Sequence, residues 1–281
     1  MPTNCRTLPR HHDQEITISG SLTERLAATG ITDELTDLTD RQVLAGIATV
    51  LLKDDVVVDE ACYGCANIEE KIPVRTDTIH RIFSNTKIIT SVAMLMLYEE
   101  GKYQLDDPLA AYLPALDHLK VLKPGTSDVS DTEPLSSPPT IRQAFTHTAG
   151  FSYGTFQESP VDRLFMETGV QDRNGTLDSM IDKLAEIPLS RQPGTRWQYS
   201  IATDILARLV EVLSGQSFAD FLAERIFGPL AMHDTGFHVA ADKADRLASL
   251  YAPVDMMDES KGLNPMSGMF AFDPSEPPAF C

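Results

Sequence analysis

Cations are scarce in this chain: 23 lysines and arginines stand against 41 aspartates and glutamates, a formal charge of −18 over 281 residues. A surface of that sign repels phosphate backbones and anionic lipid headgroups, so neither nucleic acid nor a membrane surface is an expected partner. Long apolar runs are missing too. The most apolar stretch, Ile88 to Tyr98, falls well short of the roughly 20 residues a membrane span needs, and Glu99-Glu100 follows it. Met1 to Gln14 carries scattered charges and two adjacent histidines without the apolar centre of a signal peptide, which gives the expectation of a soluble, cytoplasmic protein. Cysteine is rare, and Cys5, Cys62, Cys65 and Cys281 are too scattered for a disulfide framework. Cys62 and Cys65 do form a C-x-x-C, but it closes a strand-like run with no second ligand pair, whereas a redox pair would open a helix. They read as reduced structural thiols, and neither a metal nor an organic cofactor is expected.

What is present suffices for a core. Hydrophobic residues make up 42% of the sequence, an ordinary share for one large domain or two small ones. Gly46 to Leu52 and Val56 to Tyr63 read as β-rich segments around Lys53-Asp54-Asp55, a hairpin. From Ser84 the period changes. Ile88, Ile89, Val92, Ala93, Leu95, Met96 and Leu97 are apolar almost all round and Gly101 follows as a C-cap, which predicts a helix buried in the middle of the protein. Lys123 to Pro139, rich in proline, serine and acids, predicts a surface loop. Thr140, Thr176, Thr203 and Ser217 each stand where a helix cap is wanted, and beyond Tyr251 no period can be assigned. The order is a little sheet in residues 1–83, a mainly helical region in 84–250 and an irregular tail in 251–281, all one domain.

The candidate chemistry sits at the head of the apolar helix. In Ser84-Asn85-Thr86-Lys87 the spacing i, i+3 puts a hydroxyl and an amine on one face, one turn apart. A serine needs a base to take its proton, and a lysine entering an apolar helix has its ammonium form disfavoured by desolvation. The same residues also read more plainly, Ser84 as an N-cap and Lys87 as a first-turn surface residue.

Arg81 to Pro114, RIFSNTKIITSVAMLMLYEEGKYQLDDPLAAYLP, resembles the nucleophile region of the β-lactamase-related serine hydrolases, which include class C β-lactamases, DD-peptidases and family VIII esterases. The resemblance continues in register through His147-Thr148-Ala149-Gly150, through Gln192-Pro193-Gly194-Thr195-Arg196-Trp197-Gln198-Tyr199-Ser200 and on to Phe237, covering about Gly46 to Tyr251. It implies a mixed α/β (α+β) fold, an antiparallel sheet flanked by helices plus a mainly helical region. It also implies Ser84 as nucleophile, Lys87 as its base partner and Tyr199 as a second general base, acting on a small-molecule ester. By itself Tyr199 reads equally as a half-buried core tyrosine, and Trp197 either lines an acyl pocket or packs.

Two departures refine this. Where class C β-lactamases and DD-peptidases place asparagine two positions after the tyrosine, this chain has Ile201, which cannot hydrogen-bond a substrate amide. The resemblance therefore points to a carboxylesterase of the family VIII type, with β-lactamase, peptidase or acyltransferase activity as lesser readings. The family's later Gly-rich segment and closing strands, one of which supplies half of the oxyanion hole, find no counterpart after Tyr251. On that reading the chain is C-terminally truncated and weakly active or inactive. It would leave a sheet edge unpaired and one face of the Ile88 to Tyr98 helix uncovered, which favours self-association.

Overall fold

The computed structural model describes residues 29–154, 159–172 and 174–266. Two compact units emerge, one drawn from residues up to His80 and from Arg246 onward, the other from Arg81 to Asp245.

The first unit begins with helix α1, Ile31–Asp40, which the sequence reading did not anticipate. Strands β1, Gly46–Lys53, and β2, Val56–Asn67, then pair antiparallel as the expected hairpin. Its turn residues Asp54 and Asp55 both have positive φ, 51° and 62°. That left-handed pair matches strand twist in a two-residue turn, and the short polar aspartate side chain tolerates it. Strand β3, Ile72–Pro73, adds to the far side of β2, so among the described residues β1 is an edge strand. Cys62 and Cys65 lie inside β2 as free thiols.

The second unit opens with a 3-10 turn, Phe83–Asn85, that feeds helix α2, Thr86–Glu99. The expected glycine stop is there: Gly101 N–H donates to Tyr98 O at 2.9 Å and Lys102 N–H to Leu97 O at 3.0 Å, with Gly101 at φ 71°. These two bonds form a Schellman motif. The helix is apolar all round but not buried all round, which corrects the sequence expectation. Ala93, Met94 and Leu97 are enclosed, while Ile88, Val92 and Leu95 are 68%, 42% and 46% exposed.

Strand β4, Lys120–Leu122, pairs with β5, Thr132–Pro134, so the expected loop from Lys123 to Pro139 is in part a strand. Helix α3, Ile141–Phe145, starts from Thr140 in a reciprocal capping box with Gln143, as its sequence suggests. Helix α4, Pro160–Glu167, was not foreseen, whereas α5, Leu177–Ala185, carries the expected Thr176 cap. Helix α6, Ala202–Ser214, begins one residue before Thr203; Ile201 holds the cap position without a side-chain bond and Thr203 is buried within the helix. Here is the helix enclosed on most sides. Ile205, Leu206, Leu209 and Val210 are fully buried, and α6 packs against α2, α3, α5 and α7, Phe218–Leu222, the last capped by Ser217.

The chain then rejoins the first unit. Ile79 N–H donates to Arg246 O and Ala248 N–H to Ile79 O, at 2.8 and 2.9 Å. Strands β6, Tyr251–Pro253, and β7, Leu263–Pro265, pair antiparallel in the stretch expected to be irregular, and the Tyr251 hydroxyl accepts a 2.8 Å bond from Ile68 N–H. No described helix is long and apolar enough to cross a membrane.

Candidate active site

Two stretches far apart in sequence, residues 147–150 and 190–198, are knitted together beside the start of α2. Ser190 N–H donates to Gly150 O at 2.9 Å, and Gln198 N–H donates to His147 O at 2.8 Å. Gly150 has φ 89°, and a Cβ there would come within 2.2 Å of the Arg191 carbonyl oxygen, so only glycine permits the approach. Buried Ser190 and Gln198 side chains bond at 2.9 Å and fix the strap that carries Trp197 and Tyr199.

Ser84 is exposed in the 3-10 turn, directly after Phe83, which is held at φ 40°. A left-handed aromatic residue is costly, and strain of this kind gathers at functional positions. The Ser84 Oγ and Tyr199 Oη lie 2.8 Å apart, a hydrogen bond between residues 115 apart in sequence. Lys87, one turn along α2, places Nζ 5.2 Å from the Tyr199 ring centroid and 5.5 Å from that of Tyr153. The two tyrosine rings meet edge-on, with centroids 5.3 Å apart.

Burial is the largest influence on Lys87 and acts to lower its pKa, as the sequence suggested. The outcome nevertheless goes the other way: Asp204, then Tyr153 and Tyr199, outweigh burial and hold the ammonium above the ordinary lysine range. Burial pushes the Asp204 carboxyl up, against the pull of Lys87 and of its own backbone N–H. The two shifts favour opposite charge states for the pair. At Lys87 the upward direction holds, because the two tyrosines act with Asp204 against burial.

His147 stacks on the Tyr199 ring at 5.0 Å between centroids, with 25° between planes. Burial, and secondarily Lys87, lower its pKa. Trp197, at 62% exposed, is not a packing residue; its ring meets His147 edge-on at 6.3 Å. Ile201 is fully buried and presents nothing to the site. Ser84, Lys87 and Tyr199 are thus brought together, while Tyr153, Asp204 and the role of His147 escaped the sequence reading. Only His147 carried a signal, as part of a matched motif.

A model of the beta-lactamase family matches residues 31–272. Among curated sequences, Esterase EstB of Burkholderia gladioli is 36% identical over 228 residues, which is 79% of this chain and 55% of EstB. Protein Rv1367c of Mycobacterium tuberculosis is 31% identical over 245 residues, 87% of this chain and 59% of that protein. Among solved structures, EstCE1, described as a hydrolase with promiscuous acyltransferase activity, superposes with a TM-score of 0.73 at 24% identity, covering 88% of this chain and 61% of EstCE1. The fold is of the β-lactamase/transpeptidase type, with mixed helices and sheets. The chain spans 55% to 61% of the length of these three relatives.

Proposed function

The chain belongs to the beta-lactamase family, and from that premise we propose that it is a serine hydrolase, a carboxylesterase of the family VIII type that cleaves small acyl esters through an acyl-enzyme on Ser84. The observation that carries this reading is the 2.8 Å contact of Ser84 Oγ with Tyr199 Oη beneath the Lys87 ammonium. In this scheme the phenolic proton of Tyr199 rests on Lys87 as part of the ammonium, so Tyr199 enters as the phenolate, is the immediate proton acceptor, and has its negative charge stabilised by the ammonium. As Oγ bonds to the acyl carbon, the Ser84 proton moves to the Tyr199 phenolate, making it a neutral phenol, and the carbonyl π pair moves to oxygen. Collapse breaks the ester C–O bond, and the leaving alkoxide takes the proton from Tyr199. Water repeats the sequence to free Ser84. Exposed Trp197 and Phe83 offer apolar surface to the substrate.

The uncovered apolar face of α2 favours a second reading, in which the chain keeps the nucleophile but turns over weakly or not at all. One experiment separates the two. Purified protein is treated with a fluorophosphonate probe and mapped by peptide mass, and p-nitrophenyl acetate hydrolysis is followed for a burst. The hydrolase reading requires a Ser84 adduct and a stoichiometric burst followed by turnover, both abolished in Ser84→Ala. Labelling without turnover supports the second reading, and turnover surviving Ser84→Ala overturns the nucleophile.

A further inference from the structure

We infer that His147 is a positioning residue that clamps Tyr199 at three points, through its backbone carbonyl, its Nδ1 atom and its ring face. The inference rests on the proposed role of Tyr199 and goes beyond it, since nothing in the hydrolase reading requires this histidine. The backbone carbonyl of His147 accepts Gln198 N–H at 2.8 Å, on the N-terminal side of Tyr199. Its ring atom Nδ1 accepts Ser200 N–H at 3.2 Å, on the C-terminal side. The Ser200 hydroxyl lies 3.1 Å from the same nitrogen. One residue therefore anchors the main chain on both sides of the tyrosine while its imidazole stacks on the phenol between them.

The arrangement dictates the form of the imidazole. A backbone N–H donates only to a lone pair, so Nδ1 is unprotonated and the single ring proton sits on Nε2. Protonating Nδ1 would set two hydrogens against each other and break the C-terminal anchor. A neutral ring also avoids adding a second cation beside Lys87, the charged group facing it. The geometry is bought with backbone strain, because His147 adopts φ 53°, a left-handed conformation that histidine and asparagine enter more readily than most residues. A chain that needed only a hydrophobic ring under Tyr199 would have no use for the acceptor at Nδ1. Equally, one that needed only a backbone anchor would have no use for the stacked ring.

Two variants divide the clamp. His147→Asn keeps an acceptor near the Nδ1 position and tolerates the left-handed backbone, but removes the stacked ring. His147→Phe keeps a ring and leaves Ser200 N–H without its acceptor. A displacement of the phenol by about 1 Å can cost on the order of 100-fold in rate. His147→Phe should therefore lower kcat for p-nitrophenyl acetate about 100-fold and His147→Asn about tenfold, with KM within about threefold of wild type and cooperative melts in both. An independent readout uses protein labelled with 13Cζ-tyrosine and 15N-histidine. It should show an unprotonated Nδ1 at neutral pH, and a Tyr199 resonance that moves in both variants.

Wild-type kcat in His147→Phe, a loss expressed in KM alone, or a protonated Nδ1 would each overturn the clamp. If wild type fails to label at Ser84 while the resonances behave as stated, the hydrolase reading fails and the clamp stands. If either variant does not fold, the histidine spectrum of the wild-type chain and the Tyr199 resonance of the other variant decide the question.

Discussion

Replacing Tyr199 with phenylalanine removes one oxygen and little else. The ring keeps its stack on His147 and its edge contact with Tyr153, and Ser84 Oγ loses the partner 2.8 Å away. As a ground-state hydrogen bond that contact is worth about 0.5 to 1.5 kcal/mol of stability. As the point where the serine proton lands it is worth far more, because a positioned acid–base group contributes about 10² to 10⁴ in rate, or about 2.7 to 5.4 kcal/mol of barrier. The two roles therefore differ in where the loss appears. If Tyr199 is the proton acceptor, Tyr199→Phe lowers kcat and the acylation rate by at least about 100-fold, leaves KM nearly unchanged and shifts the melting temperature only modestly. The assay is steady-state and single-turnover hydrolysis of p-nitrophenyl butyrate, with thermal melts on the same preparations. A kcat within about threefold of wild type, or a loss carried by KM, would show that Tyr199 packs and that the serine proton goes elsewhere.

Lys87→Met keeps the stem and removes the charge; it should cost about 10³-fold or more in acylation, and near-normal rates would remove Lys87 from the mechanism. The pH dependence of stability has two windows. His147 has a depressed folded pKa, so its contribution is complete above the ordinary value of 6.5 and is lost as pH falls through the lower folded value, with Lys87 and Tyr199 as the titratable groups facing it. Lys87 has a raised one, so its contribution is complete below the ordinary 10.5 and is lost as pH climbs through the higher folded value. Thermal melts across pH should weaken at both ends, and the loss just below pH 6.5 should shrink in His147→Asn, while the acid loss from the depressed Asp106, Asp107, Asp128, Asp172 and Asp255 carboxyls persists; an unchanged limb just below pH 6.5 would reject the assignment. Short-chain p-nitrophenyl esters should be hydrolysed far faster than cephalosporins, and the opposite order, measured as kcat/KM, would contradict the esterase reading. Among the described residues the outer edge of β1 is unpaired, and the strand carries exposed Val50 and Leu52, so we expect self-association that rises across the micromolar range in sedimentation velocity and is reduced by Val50→Lys. A monomer throughout that range would refute it.

Local signals in the sequence marked the local structure well. The Asp54-Asp55 turn, the Gly101 stop and the Thr140, Thr176 and Ser217 caps are each decided by a few neighbouring residues, and each appears where its chemistry placed it. Burial is a different kind of property. The residues of α2 are apolar on every side, and periodicity reads that as enclosure; yet whether a face is covered depends on what packs there, and Ala93, Met94 and Leu97 are enclosed while Ile88, Val92 and Leu95 are not. The strands of the Tyr251 to Pro265 stretch were invisible for a related reason. Three residues are too few to show an alternation, and what defines them is pairing with each other.

The site shows the same division between what spacing can fix and what only proximity can. Ser84 and Lys87 are neighbours on one helical turn, so their nearness could be read from an interval of three. That interval could not supply the charge of Lys87. Desolvation alone argued for a neutral amine, and the sequence offered no reason to count Asp204, 117 positions later in the numbering of the chain, as its neighbour. The packing of α2 against α6 makes it one, and Asp204 pulls the Lys87 pKa up where burial alone would lower it. The consequence for mechanism is direct. On the proposed mechanism a charged Lys87 leaves the serine proton to another group and acts by stabilising an anion nearby. The oxygen at 2.8 Å from Ser84 is then the group on which that stabilisation acts, and the stack and anchors of His147 are what keep it there.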